Sequence, residues 1–293
     1  MKLLFALCLL SACTALAADG KLQVAVANYP LKYFAERIGG SHVAVIFPAP
    51  ADEDPAFWKP ADADVLRYQQ ADLILMNGAT YSKWAEKATL PRAKTIDTAS
   101  GFKDKFIVTT GATMHSHGPG GEHSHSGTAF TTWIDLSQAI SQADAVRIAL
   151  SKKLPDVAAE LEKNFAALKT DIAALDKRLL AAGKSLAKQP LVASHPVYQY
   201  FARRYELNLK DVLWEPEEVP TEAQMAELKK LLSSHPAKWM IWEGEPAKAS
   251  VEKIKALGLQ STVIDPCGNM PETGDWLSVM QANVASIEAI SSR

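Results

Sequence analysis

The chain has seven histidines, and four of them, His115, His117, His123 and His125, fall within eleven residues as two His-x-His pairs. Neutral imidazole is a good ligand for zinc, copper or nickel, and two close pairs on one segment let several rings converge on one ion. The surrounding stretch from Gly111 to Gly127, GATMHSHGPGGEHSHSG, is rich in glycine and histidine and lacks apolar periodicity. It reads as a flexible surface loop, so its imidazoles are either metal donors or part of a solvated linker. His195 directly follows the apolar run PLVAS. In open α/β sheets the C-terminal ends of strands are where ligands bind, so His195 is either a ligand or a histidine satisfied by backbone contacts.

Three further groups sit at comparable places. Asp265 follows the run TVI in DPCG and is a metal ligand or the cap of an Asp-Pro turn. Cys267, two residues on, is a thiolate donor or a buried structural thiol. Glu243 and Glu245, in WEGEP after WMIW, are ligands, acids that orient a histidine, or solvated carboxylates. Phe57, Trp58, Trp84 and Trp133 fall near loops and read as packing, with some lining a cleft. The chain contains no HExxH, GxSxG or phosphate-loop pattern, and this set of residues points to binding, not to an enzyme.

The elements that position these groups form an α/β pattern. Leu22 to Ala27, Val43 to Phe47 and Asp72 to Met76 are short apolar strands, with helices predicted from Pro30 to Gly39 and over 61–70. Asp156 to Leu186 carries an apolar stripe at steps of three and four and predicts one long helix, over 40 Å at roughly 1.5 Å per residue. Strands at Pro190–Ala193, Trp239–Trp242 and Thr262–Ile264 then alternate with helices, one opened by Thr221 with Gln224 at capping-box spacing. The two halves begin alike, VAVANYPLKYFAER and LVASHPVYQYFARR. The fold class is therefore α/β with two lobes, each a mostly parallel sheet flanked by helices, joined by one long linking helix with a cleft between. The boundaries are an N-terminal lobe over 18–135 that includes the histidine-rich loop 113–126, a linking helical segment over 136–188, and a C-terminal lobe over 189–293.

Residues 1–17 read as a signal peptide: Lys2, an apolar run from Leu3 to Leu10, and the Ala15-Leu16-Ala17 cleavage pattern. The sequence Leu10-Ser11-Ala12-Cys13 gives a second reading, a lipoprotein anchored at Cys13. Either implies work outside the cytoplasm, with the periplasm as the expected compartment and no membrane insertion after processing. The formal charge is −2, and loss of Lys2 with the leader makes it −3 (30 basic, 33 acidic residues). No basic block exists to neutralise phosphates, which excludes a nucleic-acid partner. Cys267 alone remains beyond the leader and its edge, so an internal disulfide is excluded.

The chain resembles the zinc/manganese family of solute-binding proteins that serve ABC importers. The resemblance is carried by YPLKYFAERIGG, the Pro55–Pro60 segment, QADLILMNGATYSKW, the histidine-rich loop, TTWIDLSQA, the long helix, ASHPVYQYFARRY, PEEVPT and IDPCG. It implies a monomer that captures a divalent transition metal, zinc first, in the cleft and delivers it to an ABC importer permease. It also implies one histidine from each of three motifs plus a late acid, matched here by His195 and Asp265. The other two histidine positions hold Ala56 and Thr131, and a glutamate often found before the first-lobe tryptophan is Ser82. Alanine cannot ligate, and a threonine hydroxyl is a poor zinc ligand. The expectation is therefore that loop histidines complete the site: His125 lies six residues before Thr131, an extended span of roughly 20 Å. Two alternatives stand beside it: the same fold taking a non-metal ligand, and a metal-buffering or chaperone protein that uses only the loop.

Overall fold

The computed structural model describes residues 20–109, 114–116, 122–124 and 127–292. The leader, Cys13, His117 and His125 lie outside them, as do the side chains of His115 and His123. In the first half, β1 (Leu22–Val26), β2 (Val43–Ile46), β3 (Leu73–Met76) and β4 (Thr95–Asp97) form a parallel sheet in the order β2-β1-β3-β4. Two helices accompany it, α1 (Tyr29–Gly39) and α2 (Asp62–Gln70). Asn28 caps α1 by accepting from the Leu31 N–H, and Pro30 sits at its start, where a missing N–H costs nothing.

Short antiparallel pairs follow: β5 (Val108–Thr109) with β8 (Gly127–Thr128), and β6 (Met114–Ser116) with β7 (Glu122–Ser124). The stretch read as a loop thus contains a ladder, in which His115 stands opposite His123 in register. Three-residue strands reading MHS and EHS carry no apolar alternation, so nothing in the pattern announces them.

Two helices then cross the molecule, α3 (Leu136–Lys153) and α4 (Ala158–Leu186). A separate 3₁₀ turn over Pro155–Val157 precedes α4, so the long helix starts two residues later than the stripe predicts. Its 29 residues make it about 43 Å long. Leu161, Phe165, Leu168, Ile172, Leu175 and Leu179 are all buried, as the stripe requires. They pack on α1 and α3 from the first half and on α8 (Trp276–Ser291) from the second, so one helix serves both lobes.

The second half repeats the first. Here β9 (Pro190–Ala193), β10 (Asn208–Asp211), β11 (Trp239–Trp242) and β12 (Gln260–Val263) form a parallel sheet in the order β10-β9-β11-β12. Helices α5 (Gln199–Arg204), α6 (Glu222–Ser234) and α7 (Lys248–Lys255) connect or flank these strands, and α6 opens with the Thr221–Gln224 capping box. The edge strands β4 and β10 read TID and NLKD, too short and polar for the apolar-run criterion.

The halves are joined by direct hydrogen bonds as well as by α4. Tyr29 N donates to the Gly268 carbonyl at 3.0 Å, and Trp133 Nε1 to the Pro266 carbonyl at 2.7 Å. The Tyr200 hydroxyl donates to the Ala129 carbonyl at 2.8 Å, and the Thr131 hydroxyl donates to the Val197 carbonyl.

Candidate metal centre

All the donors of the C-terminal half emerge past the C-terminal ends of its strands. His195 comes two residues after β9, Glu243 directly after β11, Asp265 two residues after β12, and Glu215 four residues after β10. The backbone fixes these exits: Ser194 N donates to Ile241 O at 2.7 Å and Trp214 N to Ser194 O at 2.8 Å, carrying the sheet pairing up to the site. The His195 ring is buried, 1% exposed, and its Nδ1 faces Glu243 Oε1 at 3.6 Å and Glu215 Oε1 at 3.7 Å. One donor atom from each of the three residues lies within 4.8 Å of the others. Two donors about 2.0–2.2 Å from a tetrahedral zinc stand roughly 3.3–3.6 Å apart, so the two imidazole–carboxylate spacings need only a small adjustment, and the carboxylate pair, within 4.8 Å, closes the rest of the way on the ion.

These groups open into a cleft of about 460 Å³ between the two halves. Among the described residues its lining includes Asp52, Glu53, Asp54, Glu215, Glu217, Glu243 and Asp265, one imidazole, and neither lysine nor arginine. A concave wall carrying carboxylates without compensating cations concentrates negative potential and attracts a multivalent cation. Burial pushes the Glu243 carboxyl well above the usual carboxylate range, and the negative charges of Glu215, Asp54, Glu217 and Asp265 push it further. A dication among them removes that penalty.

Asp265 is raised by burial too, while the Cys267 N–H, donating to its Oδ1 at 2.6 Å, acts in the opposite direction. Asn283 on α8 holds the Asp265 backbone from both sides, accepting from its N–H at 2.9 Å and donating to its carbonyl at 2.7 Å. Cys267 is buried with φ of +55°, and burial raises its thiol far from thiolate formation, with Asp265 and Asp275 adding to the shift. A thiol held protonated is a poor metal donor.

The opposite wall is aromatic. Phe57 meets Phe130 edge to face at 5.9 Å, Phe130 meets Tyr81 at 5.4 Å, and Tyr81 meets Trp133 at 5.5 Å. Trp58 and Trp84 instead pack against each other and Tyr68, away from the cleft.

Of the sequence-predicted donors, the structure brings His195, Glu243 and Asp265 to one cleft. Glu245 is exposed and does not line it. Sequence reasoning missed Glu215. Its signal was an acid following a strand end, hidden because NLKD does not look like a strand.

Comparison with known proteins identifies the family and the fold. Residues 24–290 match the family model described as ZnuA, zinc-uptake complex component A, periplasmic. The chain belongs to the ZnuA family. Among relatives, it is 27% identical over 284 residues to the zinc-binding lipoprotein AdcA of Streptococcus pneumoniae, covering 92% of this chain and 56% of that protein. The chain thus spans little more than half the length of the AdcA proteins it matches. It is 26% identical over 303 residues to the metal ABC transporter substrate-binding lipoprotein SsaB of Streptococcus sanguinis, covering 97% and 95% of the two chains. In fold it is similar to the Zn(II)-bound ZnuA-like domain of Streptococcus pneumoniae AdcA, with a TM-score of 0.77 at 23% identity over 94% of this chain and all of that domain. The periplasmic zinc-binding protein TroA of Treponema pallidum gives a TM-score of 0.73 at 18% identity, over 94% of this chain and 100% of TroA.

Proposed function

We propose that this ZnuA-family chain captures zinc in the cleft between its two halves and hands it to the permease of an ABC importer outside the cytoplasm. The observation that carries this reading is the convergence of His195, Glu215 and Glu243 within 4.8 Å at the edge of one sheet. An imidazole with two carboxylates is a donor set that first-row dications accept, and the family and its named relatives make zinc the cargo. Asp265, in the same cleft, adds charge and a further oxygen.

Capture here needs little lobe movement. The two halves share α4 and are tied at Gly268, Pro266, Ala129 and Val197, so the donors are held near their final spacing before the ion arrives. His115, His117, His123 and His125 serve as additional imidazoles that collect ions. Export, whether as a periplasmic protein or as a lipoprotein at Cys13, places the chain where such scavenging is useful. No helix among the described residues is long and apolar enough to cross a membrane.

The test is a zinc titration against a competing chromophoric chelator, with the wild-type chain and His195→Ala. Loss of one donor exceeds the roughly 10- to 100-fold effect of outer-shell changes, so affinity at the tight site should fall about 100-fold or more. Wild-type affinity in His195→Ala would place the ion elsewhere. Retention on the loop alone would then favour the buffering alternative.

A further inference from the structure

The N-terminal half presents no imidazole to the cleft from the described residues: position 56 is alanine, and the Thr131 hydroxyl is engaged by the Val197 carbonyl. It does present Asp54, which lines the same cleft. The turn that carries this acid is held by its own hydrogen bonds. Phe57 N and Trp58 N donate to the Asp54 carbonyl at 3.0 and 2.9 Å, and Ala56 N donates to Asp54 Oδ1 at 2.8 Å. The side chain is therefore oriented by the very residue that cannot ligate.

The turn is also tied across the cleft. Asn269 Nδ2 donates to the Pro50 carbonyl at 2.7 Å and to the Glu53 carbonyl at 2.8 Å. Asn269 lies four residues after Asp265, so one amide holds the acid-bearing segment of the N-terminal half against the segment that follows Asp265. Asp54 shares the cleft lining with His195, Glu215 and Glu243 but stands outside the set of donor atoms within 4.8 Å of one another, so its carboxylate closes on the ion from the far wall.

We infer that Asp54 is the donor that the N-terminal half contributes to the captured cation, joining His195, Glu215 and Glu243, with Asn269 keeping its turn within reach. This rests on the cleft being the cation site. One nitrogen and three oxygens then complete a four-donor set, and the N-terminal donor has moved two residues upstream from the position that alanine fills.

The experiment uses the full chain, as wild type, Asp54→Asn, Asp104→Asn and His195→Ala. Each is titrated with substoichiometric zinc against a chelator, so that the tightest site reports. Asparagine keeps the oxygen that accepts from Ala56 N and removes only the charge. Asp54→Asn should bind zinc at least about tenfold more weakly, and Asp104→Asn, an exposed acid of the same half outside the lining, within about twofold of wild type. A crystal structure of the zinc-loaded wild type supplies the second readout, with Asp54 oxygen about 2.0–2.2 Å from the ion. Asp54→Asn matching wild type while His195→Ala fails overturns the assignment of Asp54 and leaves the cleft reading intact. Indifference of both variants overturns the cleft reading itself. A zinc shell in the crystal that lacks Asp54 overturns the assignment however the variant folds.

Discussion

Replacing Glu243 by glutamine should move the metal-free and zinc-loaded proteins in opposite directions. In the metal-free chain, Glu243 and Glu215 offer oxygens within 4.8 Å of each other, and their side chains are only 21% and 17% exposed. Two unit charges at that distance repel by about 1–3 kcal/mol for effective dielectric constants of roughly 60 to 20. Asp54, Glu217 and Asp265 add to this. Glu243→Gln removes the repulsion and keeps the shape, so metal-free Tm at pH 8 should rise by about 2–12 °C at roughly 2–4 °C per kcal/mol for a chain of this size. The sign of the pH dependence follows from the raised carboxyl. Folded Glu243 holds its proton to a higher pH than the unfolded residue, so its contribution is most favourable below the unfolded value and is lost as pH rises through the folded one. The advantage of glutamine should therefore be small near pH 4.5 and grow to a plateau on the alkaline side. With zinc present the order reverses, because a neutral amide oxygen is the weaker donor and the zinc-induced rise in Tm shrinks with affinity. Differential scanning fluorimetry with chelator or with zinc, across pH 4.5 to 8.5, reads both effects. A metal-free Tm at pH 8 no higher than wild type would refute the electrostatic picture of the cleft.

Two other outcomes follow from the architecture. Replacing His115, His117, His123 and His125 together by serine should lower the number of zinc ions bound at saturation, as counted by metal analysis after dialysis. One tight site that depends on His195 should remain, and its disappearance would mean that the loop supplies coordination the cleft lacks. Gly183→Ala in α4 should destabilise the chain by about 1–3 kcal/mol in chemical denaturation, although the same change inside an exposed helix stabilises by about 1 kcal/mol. A methyl there would stand 2.3 Å from the Tyr205 carbonyl oxygen, so the helix would have to move off the second lobe.

The parts legible in the sequence were those with strong periodicity or an unusual residue at a strand end. The stripe from Leu161 to Leu179 locates α4 because every third or fourth residue is buried against both lobes. The runs LQVAV, LILM, PLVA and WMIW are the inner strands of the two sheets, buried on both faces, and so read as unbroken apolar segments. The outermost strands β4 and β10 have only one partner, tolerate polar residues and escape the same test. Missing β10 also concealed Glu215. Asp54 was illegible for another reason: its place in the cleft depends on an amide more than two hundred residues away, Asn269, which no local pattern announces.

The two sheets have the same strand order, yet their C-terminal edges are used differently. In the first, the residues that follow or end the strands are Asn28, Asn77 and Thr98, all buried, and they close a neutral network with Gln142. Asn28 Nδ2 donates to Asn77 Oδ1 at 3.1 Å, and Gln142 Nε2 donates to Asn77 Oδ1 and Thr98 Oγ1, each at 3.1 Å. Asn77 Nδ2 donates onward to the Phe130 carbonyl at 3.0 Å, and Thr132 Oγ1 to Gln142 Oε1 at 3.1 Å. That edge thereby fixes the segment Phe130–Trp133 that forms the aromatic wall. In the second sheet the equivalent exits carry His195, Glu243 and Asp265, an imidazole and two carboxyls whose charge a bound cation neutralises. A duplicated topology has thus been divided into a rigid amide-sealed wall and a charged wall. On the proposed reading, affinity depends on His195 and the acids of the second wall and on the donor that the first extends towards them.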